Sequence, residues 1–258
     1  MRYACCVRED ELSKKLYLAI SQYLKANSWV EDENCPQIVI TIGGDGTVLA
    51  AIHKYLEMLD NVAFIGVHTG SLGFFNDYRN EEVKEFLTDL LTKQPIYEYK
   101  RLIQAVVDGD NDHPYYALNE VRIENSIKTQ VLAICIDNQK METARASGVC
   151  VSTQAGSTAV NRALGGAIVD ERIECLQLSE IAPIHNSVFR SLASPLILAK
   201  DRQITIFGQD FYYSLLCYDH LYQPLRGKKQ VDVRLSDKGV YFAHYRPTNY
   251  IEKIRTLF

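Results

Sequence analysis

The order of strand and helix patterns along the chain is the feature that most limits its fold. Up to Pro95, short apolar, β-branched runs alternate with segments whose apolar residues recur every three or four positions. This alternation is typical of a parallel sheet covered by helices on both faces. After Pro95, short β-rich segments follow one another, separated by turn residues. We therefore predict an α/β N-terminal domain with a parallel sheet and a β-rich C-terminal domain, an antiparallel β-sandwich.

The N-terminal patterns predict three strands and three helices. The strands are expected at residues 3–7, 37–42 and 62–67. The apolar faces of the helices are formed by Leu12, Leu16, Ile20, Tyr23 and Leu24, then Val48, Leu49, Ile52, Leu56 and Leu59, then Val83, Phe86, Leu87, Leu90 and Leu91. In the first helix, Ser13 and Ser21 are expected on other faces, away from this apolar face.

The C-terminal patterns predict a series of short strands with one helical interruption. The strands are expected at residues 103–107, 131–136, 204–207, 211–216 and 231–235, and the helical stretch at 156–164. Turn signals lie at Asn138-Gln139, at Asp108-Gly109 and at residues 236–239. We predict domains at residues 1–98, with a glycine-rich turn, and 99–240, followed by a C-terminal segment, 241–258, that could pack back on the first domain.

Composition and charge exclude several classes of partner. The net charge is −4, and the longest basic cluster is the four residues 226–229, which argues against nucleic acid or a membrane surface as partner. No apolar run approaches the roughly 20 residues of a membrane span, and no signal peptide is predicted. The seven cysteines form no C-x-x-C pair, which favours buried thiols in a reducing compartment. We expect a cytoplasmic protein without membrane attachment.

The turn Gly43-Gly44-Asp45-Gly46-Thr47 lies between a predicted buried strand and a helix. Its glycines allow a phosphate close to the backbone, and the helix N-terminus offers free N–H groups. The spacing is neither a P-loop nor G-x-G-x-x-G. The residues alone leave two interpretations of Asp45 open. It is a helix N-cap or turn-stabilising residue, or it is a general base that takes a proton from a substrate hydroxyl beside a phosphate and helps to position Mg²⁺.

This turn resembles the GGDGT signature of NAD kinases, diacylglycerol and sphingosine kinases and, in variant form, phosphofructokinases. Three further segments resemble NAD kinases in particular. Residues 64–77, FIGVHTGSLGFFND, are similar to the family's Gly-x-x-x-Gly-x-Leu-Gly-Phe loop, and Asn119-Glu120 is similar to its Asn-Glu/Asp motif. Residues 151–166, which end in Gly165-Gly166, are similar to its third block. The resemblance, to the Gram-positive bacterial type, implies an NAD kinase/diacylglycerol kinase-like fold with a Rossmann-like N-terminal sheet.

The resemblance implies transfer of the terminal phosphate of ATP, or of polyphosphate, to the 2′-hydroxyl of the adenosine ribose of NAD, giving NADP. Asp45 would be the general base, and residues 99–240 the NAD-binding domain. The implied phosphate- or ATP-binding residues are Gly43, Gly44, Asp45, Gly46 and Thr47. The implied NAD-binding residues are Asp45, Gly46, Asn119, Glu120, Arg145, Ser147, Ala155, Thr158, Ala159, Val160, Asn161, Arg162, Ala163, Ala182 and His220. It further implies Mg²⁺ held mainly by substrate phosphates, without assigned protein ligands, and a homodimer or homotetramer.

Five residues depart from the family pattern where the acceptor would bind. Gln154 replaces a proline, which loosens φ, and Ala155 replaces a threonine or serine hydroxyl. Val160 replaces a tyrosine whose ring would stack on a base. Ser147 lies where the family favours Gly-Asp-Gly, and Ala163 lies where a serine is common. These departures predict a weaker NAD kinase or a paralogue with a shifted acceptor.

Two alternatives remain from the sequence. The first is a lipid kinase of the diacylglycerol type, against which the third block and the lack of an exposed amphipathic membrane-docking stretch argue. The second is a non-catalytic NAD(P)-binding regulatory paralogue. The altered acceptor residues favour that alternative slightly, whereas the retention of Asp45 in its glycine turn argues against it.

Overall fold

A computed structural model describes residues 1–70, 73–209 and 211–258. The chain forms two compact units. The first contains Met1–Lys100 and Lys238–Phe258, and the second contains Arg101–Asp237. The sequence patterns put the domain boundaries after residues 98 and 240. Each unit is described separately below.

The first hundred residues contain the alternating strands and helices of the first unit. The strands are β1 (Arg2–Val7), β2 (Val30–Glu31), β3 (Ile38–Ile42), β4 (Ala63–His68) and β5 (Tyr78–Arg79). The helices are α1 (Glu11–Ala26), α2 (Asp45–Lys54) and α3 (Val83–Thr92), with 3-10 helices at Leu56–Asn61 and Asn80–Glu82.

The second unit is mainly β structure. Its strands are β6 (Ile96–Val107), β7 (Tyr115–Ala117), β8 (Glu120–Glu124), β9 (Gln130–Ile136), β10 (Gln139–Ala146), β11 (Gly148–Thr153), β12 (Cys175–Ile181), β13 (Leu196–Ala199), β14 (Ile204–Gly208), β15 (Leu215–Tyr218), β16 (Leu221–Pro224) and β17 (Gln230–His244). A 3-10 helix at Ala155–Thr158 precedes helix α4 (Val160–Ala163), and the chain continues after β17 into helix α5 (Tyr250–Leu257) of the first unit. Strands β6 and β17 each begin in one unit and end in the other.

The sheet of the first unit is parallel, with the order β2-β1-β3-β4. Residues 241–242 of β17 add a further parallel pairing with β4. Every residue of β3 and β4 is buried. Strands buried on both faces are expected in a parallel sheet covered by helices, so the α/β prediction for the N-terminal region is confirmed.

Helix α1 corrects one expectation about its buried face. Ser13 is fully buried and Ser21 nearly so, whereas Leu12 is 41% exposed. The two serines tolerate burial because each has a hydroxyl partner. The Ser13 hydroxyl lies 2.7 Å from that of Thr69, and the Ser21 hydroxyl lies 3.0 Å from that of Tyr3. The periodicity located the helix but placed its inner face incorrectly, because satisfied serines pack as small core residues.

The second unit is an antiparallel sandwich, as predicted. One layer has the order β13-β12-β11-β8-β15-β16, and the other contains β10-β9-β14-β17. Inward residues of both layers form one apolar core, which includes Val121, Ile134, Leu176, Ile206 and Val233. The core therefore lies between the two layers.

Two local predictions in this unit were wrong. The strand expected from residue 211 begins only at Leu215, because residues 211–214 form a turn. In this turn, Ser214 N donates to Phe211 O at 3.0 Å. The turn expected at residues 236–239 lies within β17. There, the Arg101 guanidinium donates to the carbonyl oxygen of Ser236 at 2.8 Å.

A membrane-spanning helix must be both long and apolar, and the helices in the described part of the chain differ from this. None of them is both long and apolar enough to cross a membrane.

Candidate functional site

The glycine–aspartate turn joins β3 to α2. The helix begins at Asp45, and its N-cap is Gly44. A Cβ atom placed at Gly43 would lie 2.1 Å from Thr47 Oγ1, so this position requires glycine. A Cβ atom at Gly44 or Gly46 would meet no described atom within 4 Å. The turn is therefore closed on the protein side and open where Gly44 and Gly46 present their backbone.

The carboxylate of Asp45 binds a distant loop instead of capping its own helix. Phe74 N donates to Oδ2 at 2.8 Å, and Phe75 N donates to Oδ1 at 3.2 Å. The Asn76 side-chain amide is 3.5 Å from Oδ1. Because Gly44 is the N-cap and no side chain caps α2, the N-cap interpretation of Asp45 is wrong. Two consecutive backbone amides fix the carboxylate in one orientation.

The loop approaches Asp45 so closely that only glycine fits beside it. A Cβ atom at Gly73 would lie 2.0 Å from Asp45 Oδ1 and 2.4 Å from its Cγ. Such distances are far inside van der Waals contact, and both colliding atoms belong to a carboxylate that is already hydrogen-bonded. Any side chain at position 73 would therefore displace the carboxylate or the loop.

Burial raises the pKa of Asp45 above the ordinary value of an aspartate. The Phe74 and Phe75 N–H groups and the positive charge of Lys253 act in the opposite direction without cancelling the effect. Burial also lowers the pKa of the neighbouring His68, which favours its neutral form. An aspartate with a raised pKa is a stronger base than an exposed one, which suits general base chemistry.

In the second unit, the Asn119-Glu120 segment is held by a residue far away in sequence. The carboxylate of Asp219 accepts hydrogen bonds from Leu118 N and Asn119 N, both at 2.8 Å. Asp219 has φ of 50°, in the left-handed region that aspartate tolerates better than most residues. Sequence analysis missed this role, although Asp219 directly precedes the expected site residue His220. The structure places Asp219 in the two-residue connection between β15 and β16, a hairpin that the sequence patterns did not predict.

The start of the third block is fixed against the same segment. Thr153 Oγ1 donates to Leu118 O at 2.6 Å and accepts from Gly156 N at 3.1 Å. A Cβ atom at Gly156 would lie 2.0 Å from Asn119 O. The 3-10 helix that follows β11 therefore packs directly on the backbone of Asn119, and the two predicted motifs form one group.

This group contains buried polar atoms that lack partners. Glu120 is 3% exposed, and its Oε2 has no hydrogen-bond partner among the described residues, nor does Asn119 Oδ1. Arg122 Nε is 3.6 Å from Glu120 Oε1. Burial raises the pKa of Glu120 to about 7, although the charge of Arg122 lowers it. Unpartnered buried acceptors are costly, so these two atoms are suited to receive donors from a ligand.

The remaining residues of the third block differ in accessibility. Ala155 and Thr158 lie in the 3-10 helix, and Ala159 and Val160 lead into α4; these are half-buried, whereas Arg162 and Ala163 are exposed. Asn161 is fully buried, and its Oδ1 accepts from the Ser179 hydroxyl at 2.9 Å.

Gln154 corrects an expectation about the third block. Its φ is −60°, the value that proline would impose, so the replacement of proline has not changed the backbone angle. Its Oε1 is buried and has no partner within the described residues.

Four other expected site residues lie elsewhere in the second unit. Ser147 joins β10 to β11, and its N donates to Ile181 O at 2.9 Å. The exposed Arg145 side chain lies 5.7 Å from the ring of Phe189. Ala182 is exposed with φ of 47°, and His220 is exposed. Asp45 and Gly46, by contrast, belong to the first unit.

The side chains near the turn offer few protein ligands for a magnesium ion. Within residues 1–70, 73–209 and 211–258, no group of three or more His, Cys, Asp or Glu side chains is arranged to hold a metal ion. Asp45 uses part of its acceptor capacity on Phe74 and Phe75, and an ionised carboxylate can accept further contacts. Mg²⁺ commonly keeps waters and is bound by one or two carboxylates and substrate phosphates. A single acid beside an open glycine turn fits that mode of binding.

Sequence comparisons cover almost the whole chain. The family models described as ATP-NAD kinase N-terminal domain and ATP-NAD kinase C-terminal domain match residues 10–95 and 118–245. NAD kinase 1 of Bacillus cereus (strain ATCC 10987) is 37% identical over 262 residues, which cover 100% of this chain and 98% of the relative. NAD kinase of Staphylococcus aureus (strain JH9) is 36% identical, with 100% and 97% covered.

Structural comparisons agree on the fold. The crystal structure of yeast NADH kinase complexed with NADH has a TM-score of 0.82 at 19% identity, and covers 99% of this chain and 86% of that one. The crystal structure of an NAD kinase from Archaeoglobus fulgidus in complex with ATP has a TM-score of 0.78 at 22% identity, with 99% of both chains covered. At these identities, the likeness concerns the fold alone.

Proposed function

The chain belongs to the NAD kinase family and is an enzyme that phosphorylates NAD with ATP, and from this premise we propose that Asp45 is its general base. The carboxylate accepts the proton of the adenosine-ribose 2′-hydroxyl. The observation that carries this proposal is the fixed orientation of Asp45, whose two oxygens are bound by the Phe74 and Phe75 amides beside an open glycine turn. A preorganised base needs little rearrangement when the hydroxyl arrives.

The proposed step balances as a phosphoryl transfer. The 2′-oxygen forms a bond to the γ-phosphorus of ATP, and its proton passes to Asp45. The bond between the γ-phosphorus and the β,γ-bridging oxygen breaks, so the products are NADP and ADP. The pKa of Asp45, raised by burial, supports its role as proton acceptor.

We propose that the turn holds the phosphates of the donor. Gly43 and the N-cap Gly44 precede helix α2, and Gly46 and Thr47 lie in its first turn. The N-terminal N–H groups and the dipole of this helix favour an anion. The open space at Gly44 and Gly46 leaves the backbone accessible. A magnesium ion held by the phosphates, when bound, neutralises their charge, and Asp45 is the residue placed to approach it. Polyphosphate as an alternative donor would use the same contacts.

The second unit is the proposed NAD-binding domain. Asn119 Oδ1 and Glu120 Oε2 offer two buried acceptors for donor groups of the dinucleotide, such as its hydroxyl or amino groups. The further proposed contacts are Arg145, Ser147, Ala155, Thr158, Ala159, Val160, Asn161, Arg162, Ala163, Ala182 and His220. The departures at Ser147, Gln154, Ala155, Val160 and Ala163 support weaker binding of NAD than in relatives with the complete block.

The role of Asp45 is tested by the rate of NADP formation from NAD and ATP. We expect Asp45→Asn to lower kcat by about 10²–10⁴-fold, because the amide cannot take the proton. Asp60→Asn is the matched control, since Asp60 is an exposed aspartate of the same unit. If Asp45→Asn forms NADP as fast as Asp60→Asn does, Asp45 is not the base.

The acceptor is tested by calorimetric titration with NAD, NADH and NADP in the presence of a non-hydrolysable ATP analogue, which prevents turnover. We expect NAD to bind more weakly than to the Staphylococcus aureus relative measured alongside. Turnover of diacylglycerol micelles is expected to be absent. If none of the three dinucleotides binds, NAD is not the acceptor of this chain.

The proposal also covers assembly and location. We propose a homodimer or homotetramer, as the family resemblance implies, and light scattering after size exclusion would test this assembly. The seven free cysteines support a reducing cytoplasmic location. Fluorescent tagging in a bacterial host would test that location.

A further inference from the structure

Helix α5 contacts the loop that binds Asp45. The ring of Phe74 contacts two aromatic rings, that of Tyr250 at a centroid distance of 6.3 Å and that of Phe258, the residue after the helix, at 5.9 Å. Between them along the helix, Lys253 Nζ donates to Phe74 O at 2.9 Å. Two residues of helix α5 and the residue that follows it therefore contact Phe74.

Lys253 itself is held in place by buried charges. Its ammonium lies 3.2 Å from Asp77 Oδ1, and the side chain of Asp77 is only 4% exposed. The other oxygen of Asp77 contacts His244 Nδ1 at 2.5 Å. Burial lowers the pKa of His244, but the hydrogen bonds to Asp77 and Glu98 outweigh it and raise the pKa to about 9. Asp77 thus remains ionised between two cations, and Lys253 has a fixed partner.

The peptide group that Lys253 binds is also the one that binds Asp45. The carbonyl of Phe74 and the N–H of Phe75 belong to one planar amide. Lys253 donates to the oxygen of this amide, and the N–H of the same amide donates to Asp45 Oδ1 at 3.2 Å. A cation on the carbonyl polarises the amide and strengthens its N–H as a donor. Lys253 is therefore linked to the Asp45 carboxylate by a single planar peptide group.

We propose that Lys253 is a positioning residue for the phosphoryl transfer, which orients Asp45 through the Phe74–Phe75 peptide. This inference rests on the proposed role of Asp45 as general base. It assigns to helix α5 a part in the reaction, separate from the binding of either substrate.

The charges around Asp45 set the expected pH behaviour. Lys253 and His68 face Asp45, and the charge of Lys253 lowers the pKa of the carboxyl group. Asp77 faces Lys253 and is in turn faced by His244. Asp45 must be ionised to act, so activity rises with pH through its pKa. Loss of the Lys253 charge raises that pKa and moves the acid limb of kcat to higher pH.

The test compares Lys253→Met, Lys253→Arg and Arg255→Met in the full chain. For Lys253→Met, we expect kcat to fall about tenfold, which corresponds to about 1.4 kcal/mol, with the acid limb at higher pH and an unchanged KM for NAD. Lys253→Arg keeps the charge and a donor and is expected to restore most of the rate. Arg255→Met removes an exposed charge from the same helix and serves as the control.

A second comparison separates this inference from the role of Asp45. If Lys253 acts through Asp45, Lys253→Met has little further effect on the residual rate of Asp45→Asn. A wild-type kcat and acid limb in Lys253→Met would overturn the inference while leaving Asp45 as base. An Asp45→Asn variant of full activity would instead overturn the proposed function. If Lys253→Met does not fold, Lys253→Gln provides the same pH profile, because it removes the charge and keeps a donor.

Discussion

Asp45 and Glu120 are buried carboxyl groups with raised pKa values, but their surroundings differ. Each oxygen of Asp45 accepts a backbone N–H within the first unit. Glu120, in the second unit, has one oxygen without a described partner and an arginine only at 3.6 Å. Both oxygens of the Asp45 carboxylate have hydrogen-bond donors in the folded chain, whereas one oxygen of Glu120 has none among the described residues.

This difference separates two demands on the enzyme. A general base must be held in one place before the substrate arrives, and backbone amides do this with little loss of side-chain entropy. A recognition group gains selectivity if its hydrogen bonds are made only by the correct ligand, because other ligands leave it unpartnered. We therefore expect substitutions that displace the Asp45 carboxylate to reduce kcat. Substitutions at or around Glu120 are expected to change ligand binding or stability.

The largest effect is expected for Gly73→Ala. Its Cβ atom would lie 2.0 Å from Asp45 Oδ1, so the carboxylate must move from its amides. Since misplacement by 1 Å can cost about 10²-fold and loss of a base up to about 10⁴-fold, we expect kcat to fall roughly 10³-fold. Gly70→Ala is the control, because its Cβ would meet only the flexible end of Arg8, at 3.4 Å. Equal kcat values for both variants would show that Asp45 is not preorganised.

The next effect concerns stability and Glu120. Burial raises its pKa from 4.5 to about 7, so its stabilising contribution is present below pH 4.5 and is lost as the pH rises to about 7. Glu120→Gln carries no charge and avoids this loss. In urea denaturation without nucleotide, we expect Glu120→Gln to gain about 3 kcal/mol over wild type between pH 4.5 and pH 8.

The exposed Glu9 provides the control for that measurement, since Glu9→Gln is expected to show no such gain with pH. A Glu120→Gln variant that follows wild type at every pH would mean that Glu120 is as well satisfied as Asp45. The contrast between the two carboxyl groups would then fail.

The smallest effect is expected for Val160→Tyr. Val160 is half-buried at the start of α4, where the resemblance to NAD kinases implies a tyrosine ring. Base–aromatic stacking is worth roughly 1–3 kcal/mol, so we expect NAD affinity to rise about tenfold with little change in kcat. Val160→Leu adds bulk without a ring and is expected to gain less. If Val160→Tyr weakens NAD binding, the base lies elsewhere.

The fold was predictable because its signals are local. Alternating periodicities identified the parallel sheet and the sandwich, and the glycine turn identified the position of Asp45. The surroundings of Asp45 were not predictable, because its carboxylate binds backbone amides and the peptide that carries them is held by a lysine some 200 positions away. Such contacts leave no residue pattern in the sequence. Asp219 was missed for the same reason, since its hydrogen bonds to Leu118 and Asn119 span about 100 residues.

Contacts made in the fold explain two other differences between the sequence predictions and the structure. The burial of Ser13 could not be read from periodicity, because it depends on Thr69, the residue that follows β4. Likewise, the φ of Gln154 is set by the turn after β11 and not by the residue type, so the missing proline had no visible consequence for the backbone.

The span between Asp219 and Asn119 also affects how the chain reaches its native state. The ends of a long segment must be brought together before this carboxylate can bind the two amides, and such closure is slow relative to local helix formation. The Asn119-Glu120 segment is therefore expected to reach its native conformation late in folding, after β15 has paired with β8. Pulse-labelling of amide hydrogens during refolding would show late protection at Asn119 and early protection in helix α1.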